Sequence, residues 1–394
     1  MPPTAVTPAA VPVTLWLSCH VDYACRHSGA CCRAGWPLPV ETGAVPAIGA
    51  AVASGRLVTV DRAVVWLRET ADAPDDIAGT FRLAEGGCVF HVSTPAPGRG
   101  HQHERHCAVH ATLGHAALPA SCQHFPRVCL VDARGVRVSL SHFCPTAAAM
   151  LVDDPRPVSI VHGPRPVPGV AVPEGLDARD QLPPRLNDRV LMDLDALSAW
   201  EAHVVGALAG PDAWPGRAED VVTRLAHQAA HLARWTPGAK SLEDTVGGLH
   251  ADTPSGSDGA AAEWSADSAF ALVGDACRAP WTWPAPPPHL AALDLSCVAP
   301  VWAEVAPVVR RYLAGKAFGA WMTYHADAAR GLVAWLGVAL TVLRTECARA
   351  CQGDRRRLDR DLLLTAVRQA DLLLVHYADS AALAVAIARG QPRR

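Results

Sequence analysis

The stretch that decides the fold is Cys19-His-Val-Asp-Tyr-Ala-Cys25, followed after five residues by Cys31-Cys32-Arg33-Ala-Gly-Trp36. Cysteines recur downstream in short sequences, several of them typical of turns: Gly87-Cys88, Cys107-Ala-Val-His110, Cys122-Gln-His124, Cys129 and Cys144-Pro145. Nine of the thirteen cysteines therefore lie in the first 144 residues. Because turns let separate thiols converge, this pattern predicts a cysteine-rich domain of irregular structure.

The ligand types in this region indicate which metals it would bind. Eight histidines lie between residues 91 and 142: His91, His101, His103, His106, His110, His115, His124 and His142. Thiolates are soft ligands and imidazoles are borderline ones, which suits zinc, iron or an iron–sulfur cluster rather than magnesium or calcium. Buried core cysteines or disulfides are the alternative interpretation, because single cysteines are common in protein cores.

The predicted metal ligands are eight cysteines: Cys19, Cys25, Cys31, Cys32, Cys88, Cys107, Cys122 and Cys144. Four thiolates are enough for one tetrahedral zinc or one four-iron cluster, so eight would fill two sites. Alternatively, some of them bind one metal and the others belong to the core. Neighbouring side chains diverge in strands and helices, so the adjacent pair Cys31 and Cys32 indicates either a cluster large enough to reach both thiols or two neighbouring sites.

Composition restricts the classes of function. The chain has 394 residues, 50% of them hydrophobic, which is enough for two or three domains with a sizeable core. Its net charge of −3 provides no basic field, so we expect neither nucleic acid nor an anionic membrane as a partner. The longest apolar run, Gly331–Leu343, has thirteen residues and is too short to cross a bilayer. The first residues lack the features of a signal peptide, so we predict a cytoplasmic protein whose thiols are reduced.

Hydrophobic periodicity divides the chain into three parts and predicts the α+β fold class. Residues 1–152 are predicted to form an irregular, cysteine-rich metal-binding domain with short strands such as Val13–Leu17 and Val136–Leu140. Residues 153–185 contain eight prolines and little periodicity, which predicts a connector. Residues 186–394 have helical periodicity and are predicted to form an all-α domain.

Individual helices can be predicted in both domains. The C-terminal ones are Arg189–Leu208, Ala218–Trp235, Val298–Tyr324, Ala328–Cys351 and Leu358–Arg389. We expect Pro307 and Gly315 to interrupt the third, because both residues disfavour helix interiors. The fourth has apolar residues on more than one face, so we expect it at the centre of a bundle. In the first domain, Cys107–Leu113 is a predicted helix with Cys107 and His110 on one face, and Pro145 precedes another at Thr146–Leu151.

The order of short motifs along residues 15–152 provides a second line of evidence. The motifs are Leu17-Ser-Cys19, Cys25, Cys31-Cys32-Arg-Ala-Gly-Trp36, Gly87-Cys88, Cys107-Ala-Val-His-Ala-Thr-Leu-Gly114, Leu118-Pro-Ala-Ser-Cys122, Phe125-Pro-Arg127 and Ser141-His-Phe-Cys144-Pro145. This order resembles that of the flagellin lysine-N-methylase-like proteins, within the wider YkgJ-type family of cysteine-rich zinc- or iron-chelating proteins. A looser similarity includes Tyr312-Leu-Ala-Gly-Lys-Ala-Phe-Gly319 and the helices that follow it.

The resemblance implies a metal or iron–sulfur centre held by a set of six cysteines: Cys25, Cys31, Cys32, Cys88, Cys107 and Cys122. For the methylase members it also implies transfer of a methyl group from S-adenosylmethionine to lysine in a protein substrate. The spacing of the first cysteines departs from the Cys-x3-Cys-x2-Cys run of ordinary radical S-adenosylmethionine enzymes. A Gly-x-Gly-x-x-Gly motif is also absent from the sequence, so an ordinary methyltransferase nucleotide site is not predicted.

These observations leave functions from different classes open. In an enzyme of the methylase type, the substrate amine must lose a proton, and His110, His124 and Asp22 are the predicted candidates for the base. The alternative is a non-catalytic zinc- or iron-binding module whose helical half recruits a partner. A redox or metal-handling role is a third interpretation.

Other histidines and cysteines are predicted to have structural roles. His227 and His231 are four residues apart on a predicted helix, but the glutamate of a His-Glu-x-x-His zinc hydrolase is missing. The late cysteines are expected in the core of the helical domain: Cys277, Cys297, Cys347 and Cys351.

Overall fold

The computed structural model describes residues 12–69, 74–95, 103–167, 173, 175–238, 240–250, 264–278, 284–353 and 356–390. The predicted α+β class is confirmed, since strands are concentrated in the N-terminal half and helices in the C-terminal half. Because the strands are short, turns and small ladders dominate the N-terminal half.

Strands occur in the described residues from Thr14 to Leu191. They are β1 (Thr14–Leu17), β2 (Pro39–Glu41), β3 (Leu67–Arg68), β4 (Ile77–Phe81), β5 (Leu83–Ala84), β6 (Gly87–Cys88), β7 (His91–Pro95), β8 (His103–Cys107), β9 (Arg127–Asp132), β10 (Gly135–Leu140), β11 (Ile160–His162), β12 (Gly175–Asp177), β13 (Arg185–Asn187) and β14 (Val190–Leu191).

The α-helices before residue 190 have at most nine residues, and the long helices all lie after it. They are α1 (Val45–Ala53), α2 (Ala108–Leu113), α3 (Ala120–His124), α4 (Pro145–Asp153), α5 (Leu194–Ala209), α6 (Ala218–Leu232), α7 (Leu242–Gly247), α8 (Ala266–Asp275), α9 (Leu290–Leu293), α10 (Trp302–Ala317), α11 (Met322–His325), α12 (Arg330–Gln352), α13 (Arg360–Asp371) and α14 (Ser380–Gly390).

The largest sheet has five strands in the order β11-β1-β10-β9-β12. β1 is parallel to β10 and antiparallel to β11, while β9 is antiparallel to β10 and parallel to β12. Both edge strands therefore come from residues 153–185, the segment predicted as a connector.

The central strand β10 is buried along its whole length, although its alternating sequence is typical of a strand with one solvent-facing side. Its polar residues face the helical half of the molecule. Arg137 Nε donates to Glu201 at 2.7 Å, and Ser139 Oγ donates to the Gly315 carbonyl at 2.7 Å. The polar side of this strand is thus an internal surface between the sheet and the helices.

Two cysteines of the N-terminal half, Cys88 and Cys107, lie in smaller ladders beside this sheet. β2, β4 and β3 form one ladder, β5 pairs with β6, and β7 pairs with β8. These ladders, together with α1 and α2, enclose a small core that includes Val40, Ile48, Phe81 and Phe90. Two cysteines, Cys32 and Cys88, are part of that core, so the ladders bring sulfur ligands into an apolar environment.

Two predictions about the helices of the C-terminal half are wrong, one about an interruption and one about a continuous helix. Helix α10 continues through Pro307 and Gly315. Its second half is buried, and the free energy gained by this packing exceeds the unfavourable helix propensity of the two residues. The predicted helix Leu358–Arg389 is divided instead into α13, a π-helical turn at Leu372–Tyr377, and α14. Asp379 begins α14 by accepting the Ala382 N–H at 2.9 Å.

The main hydrophobic core is shared by both halves of the chain. It includes Leu17, Ala148 and Leu151 from the N-terminal half together with buried residues of α5, α10 and α12. The central position predicted for the fourth long helix is confirmed, since α12 buries residues on every side. The two predicted domains are therefore packed through one continuous core.

Two helical stretches, Leu290–Ala317 and Arg330–Gln352, are long and apolar enough to cross a membrane. The sequence prediction counted only uninterrupted apolar residues, whereas these helices continue past single charges. The apolar window of Arg330–Gln352 is 78% buried within the protein, and that of Leu290–Ala317 is 22% buried. Core helices of soluble proteins meet the same criterion, so the two stretches are weak evidence for a membrane and are consistent with a soluble protein.

Candidate metal centre and the adjoining cavity

Five of the eight predicted ligands come together: Cys31, Cys32, Cys88, Cys107 and Cys122, hereafter the thiol cluster. The Sγ atoms of Cys31 and Cys32 are 4.0 Å apart. Cys107 and Cys32 are close enough for each thiol to influence the ionisation of the other. Cys31, Cys107 and Cys88 are all close enough to Cys122 to influence its ionisation. Residues that are up to 91 positions apart in the sequence thus form one sulfur-rich group.

Short elements position the thiol cluster. Cys31 and Cys32 occupy one 3-10 turn, and their thiols approach each other rather than diverging as expected for adjacent residues. Cys88 follows Gly87 in β6, where a Cβ at Gly87 would lie 2.9 Å from the Cys32 carbonyl oxygen. Only glycine permits this approach without a backbone shift. Cys107 ends β8 and precedes α2, and Cys122 lies in α3.

The thiol cluster combines thiols of different acidity. The neighbouring Cys32 thiol lowers the pKa of Cys107 to about 7. The thiols of Cys107 and Cys31, together with burial, raise the pKa of Cys32. Burial raises the pKa of Cys88 to about 12, and burial followed by the neighbouring thiols raises that of Cys122. A bound cation would offset these effects, because it stabilises the thiolate form directly.

The donor set fits a soft metal, although no single-ion site is preformed. Within the described ranges, no group of three or more His, Cys, Asp or Glu side chains is arranged to hold one ion. Five neighbouring thiols nevertheless supply the four thiolates that zinc or a four-iron cluster takes. All thirteen cysteines lie in described segments and none of them forms a disulfide, so the disulfide interpretation has no support.

The other three predicted ligands are not part of the thiol cluster, although Cys25 is close enough to Cys31 for that thiol to influence its ionisation. Cys25 is exposed and accepts the His27 backbone N–H at 3.4 Å, whereas Cys144 is buried 3.5 Å from the Tyr23 hydroxyl. Burial raises the pKa of Cys25, and nearby thiols raise it further. Cys19 packs in the main core, where burial raises its pKa to about 12. The structure therefore does not bring Cys19 to the thiol cluster.

A cavity of about 530 Å³ adjoins the thiol cluster. Cys31 and Cys122 line it on the cysteine-rich side, while α10, α14 and the π-helical turn line it on the helical side. Much of the wall is aromatic: Trp36, Phe125, Phe318, Trp321 and Trp335. The volume is in the range of small-molecule sites, and the cavity leads to one edge of the thiol cluster.

The predicted bases differ in their relation to this cavity. His124 is buried and lines it. His110, on α2, packs against the rings of His27 and His115, and Asp22 is exposed. His101 lies outside the described residues. Of the three predicted bases, His124 is the one in the cavity wall.

Behind the cavity wall is a buried charged network that the sequence analysis did not predict. The Asp371 carboxylate accepts hydrogen bonds from Tyr312 at 2.9 Å, from Lys316 at 2.8 Å, and from the His142 backbone N–H. His142 Nε2 lies 3.1 Å from Nε2 of His20. Burial alone would raise the pKa of Asp371, but Lys316 and His142 outweigh it and hold this pKa well below its usual range. The sequence contains one indication of this network, because Lys316 is one of only two lysines in a chain whose other basic residues are arginines and histidines.

The π-helical turn places His376 in the cavity wall. Ser141 Oγ lies 2.7 Å from His376 Nε2 and accepts the Phe143 N–H at 3.3 Å. Burial lowers the pKa of His376 to about 4, so its ring is neutral near pH 7. The position of His376 in the cavity wall could not be predicted from the sequence, because His376 lies in a stretch predicted as continuous α-helix.

Comparison of the chain with protein-family models, with curated proteins and with solved structures finds no match. The resemblance to the lysine-N-methylase-like proteins therefore rests on the motifs quoted from the sequence.

Proposed function

We propose that this protein is a cytoplasmic, metal-dependent enzyme that transfers a methyl group from S-adenosylmethionine to lysine in a protein substrate. The observation that carries the proposal is the cavity of about 530 Å³ lined by Cys31 and Cys122, which gives the thiol cluster an accessible edge. Catalytic metal sites need such access, whereas structural sites are closed. Zinc or an iron–sulfur cluster bound by these thiols would supply a Lewis acid or an electron carrier.

The charge of the cavity wall suits an amine substrate. Arg127, Arg278 and Lys316 line the cavity, and its described lining contains no Asp or Glu. Two of these cations are paired with carboxylates, but Arg127 has no such partner among the described residues, and its guanidinium would disfavour a lysine ammonium and lower the pKa of a substrate amine beside it. The neutral amine is the nucleophilic form. His124 and His376 place imidazole nitrogens in the same wall.

The test begins with anaerobic purification, metal analysis and a visible spectrum, followed by calorimetric titration with S-adenosylmethionine. We expect bound zinc or iron and measurable cofactor binding. Cys31→Ser and Cys122→Ser should lower the metal content by more than half, since each removes a thiolate at the cavity edge. Cys347→Ser is the matched control because Cys347 is buried in α12. Metal-free wild-type protein, or metal-loaded protein that does not bind the cofactor, would refute the proposal.

A non-catalytic zinc module is the second candidate function. The Sγ atoms of Cys31 and Cys32 are 4.0 Å apart, which favours this candidate. In a tetrahedral zinc site with Zn–S bonds of about 2.3 Å, two sulfur ligands are about 3.8 Å apart. In that case the protein would be colourless, contain zinc in a saturated site and show no heat on titration with S-adenosylmethionine.

A further inference from the structure

The cavity wall contains three cationic side chains, of which two have acidic partners. Lys316 Nζ lies 2.7 Å from Asp371, and Arg278 lies 3.0 Å from Asp379. Arg127 is the third, and its titratable neighbours include Tyr23, several cysteine thiols and His115. In the part of the chain that the structure describes, no carboxylate pairs with Arg127. Its positive charge is therefore not neutralised by a carboxylate in the wall.

Arg127 is held in place at the start of β9 without being fully hydrogen bonded. Its Nη1 donates to the Gln123 carbonyl at 3.3 Å, and its guanidinium lies 5.3 Å from the Tyr23 ring centroid. Its Nε–H is buried and has no hydrogen-bond partner. Burial lowers the pKa of the Arg127 guanidinium. Buried donors of this kind are nearly always satisfied, so the unused N–H indicates a missing acceptor.

The cavity wall around Arg127 is suited to the apolar part of a ligand. Phe125 and Trp36 line the cavity with their rings 5.9 Å apart, and Trp321 and Trp335 also line it. Aromatic faces pack well against flat apolar groups. The wall thus combines one uncompensated guanidinium with a large aromatic surface.

We propose that this cavity binds an amphipathic anion, with an aromatic or apolar body against the tryptophans and a carboxylate, sulfonate or phosphate on Arg127. The planar guanidinium offers paired N–H donors to such an oxyanion. The proposal does not depend on a metal centre or on methyl transfer, because it rests on the cavity wall alone.

The test uses two dyes with the same aromatic skeleton and different charge. These are 8-anilinonaphthalene-1-sulfonate, an anion, and neutral N-phenyl-1-naphthylamine, each titrated by energy transfer from tryptophan. Arg127→Gln should weaken binding of the anionic dye about tenfold, the effect of losing one charge-assisted hydrogen bond, and leave the neutral dye unchanged. Arg127→Lys keeps the charge and should recover part of the affinity. Arg156→Gln, whose side chain is 77% exposed, should change neither.

Two further measurements locate the binding and do not require an Arg127 variant. Ser380 lines the cavity, so Ser380→Trp should fill it and abolish binding of both dyes. With wild-type protein, added sodium chloride should weaken the anionic dye only, since salt screens the guanidinium. The proposal is overturned if Arg127→Gln binds the anionic dye as wild type does, if Ser380→Trp still binds both dyes, or if salt affects both dyes equally.

Discussion

Asp371 is the residue on which the buried polar network depends. It is fully buried and is the shared acceptor for Tyr312, Lys316 and His142. Asp371→Asn would leave the Lys316 ammonium buried without a counter-ion. We expect the free energy of unfolding to fall by about 3–5 kcal/mol, measured by urea denaturation.

The matched control for this prediction is an exposed ion pair. Asp153 pairs with Arg360 at 2.6 Å, and both side chains are 52% exposed. Asp153→Asn should therefore cost less than about 1 kcal/mol. Lys316→Met combined with Asp371→Asn should recover part of the loss, because no buried charge remains. If Asp371→Asn costs no more than Asp153→Asn, the network does not stabilise the fold.

Buried histidines make stability depend on pH. Burial lowers the pKa of His376 from its usual 6.5 to about 4, so between these values the unfolded state binds a proton that the folded state does not. The contribution of His376 to stability is therefore complete above about pH 6.5 and falls as the pH drops toward about 4. His376→Asn should reduce this loss by up to about 3 kcal/mol.

The measurement for His376 is a series of urea denaturations between pH 4 and pH 6.5, the window set by its two pKa values. His162→Asn, at an exposed position on β11, is the control substitution. His20 and His142 also have pKa values lowered by burial, so some slope should remain in the His376 variant. A His376→Asn profile identical to that of wild type would contradict the assignment.

At the scale of elements, the thiol cluster depends on the contact between β6 and the 3-10 turn Cys31–Arg33. Gly87→Ala would place a Cβ 2.9 Å from the Cys32 carbonyl oxygen, a backbone atom that cannot rotate away. The turn must then shift, at an expected cost of about 1–3 kcal/mol in unfolding free energy. We also expect a lower metal content, because Cys31 and Cys32 would move away from the other thiols.

Gly49→Ala provides the comparison for this element. Its Cβ would lie 3.8 Å from Trp66, an ordinary contact, within helix α1. Alanine is the better helix former, so stability should be unchanged or rise by about 0.5–1 kcal/mol. Denaturation and metal analysis of both variants check the prediction. Equal effects of the two substitutions would show that the β6 contact is not critical.

At the scale of the whole molecule, the two halves are joined by apolar and charged contacts. Leu17 and Leu151 share one core with Trp200 and residues of the other long helices. Arg137 on β10 pairs with Glu201 on α5 at 2.7 Å, and both are buried. Disrupting either half would therefore expose the core of the other.

This arrangement predicts a single unfolding transition despite the length of the chain. Far-UV circular dichroism follows the helices, and alkylation of the thiol cluster follows the cysteine-rich half. The two denaturation curves should coincide, because the main core and the buried Arg137–Glu201 pair join the two halves. Arg137→Leu should shift both curves together, since it leaves Glu201 buried without its closest partner. Separate midpoints would mean that the halves unfold as independent domains.

Local patterns were enough to predict the α+β class, several helices and the concentration of sulfur in the first third of the chain. Helical and strand periodicities are properties of neighbouring residues, which is why α5, α6, α12 and β10 could be placed within a few positions. Spacing could not separate Cys19, which faces the main core, from the five cysteines that come together. Which cysteines come together depends on how segments distant in the sequence fold back on one another.

Long-range packing alone determined the cavity, the polar partners behind it and the role of the proline-rich segment. Lys316 and Asp371 meet across 55 positions, and Ser139 and Arg137 are buried only because helices cover their side of the sheet. His376 reaches the cavity through a π-helical turn that has no clear sequence signature. Hydrophobic periodicity predicts which side of a helix or strand is apolar. Which other helix or strand packs against that side depends on the tertiary structure as a whole.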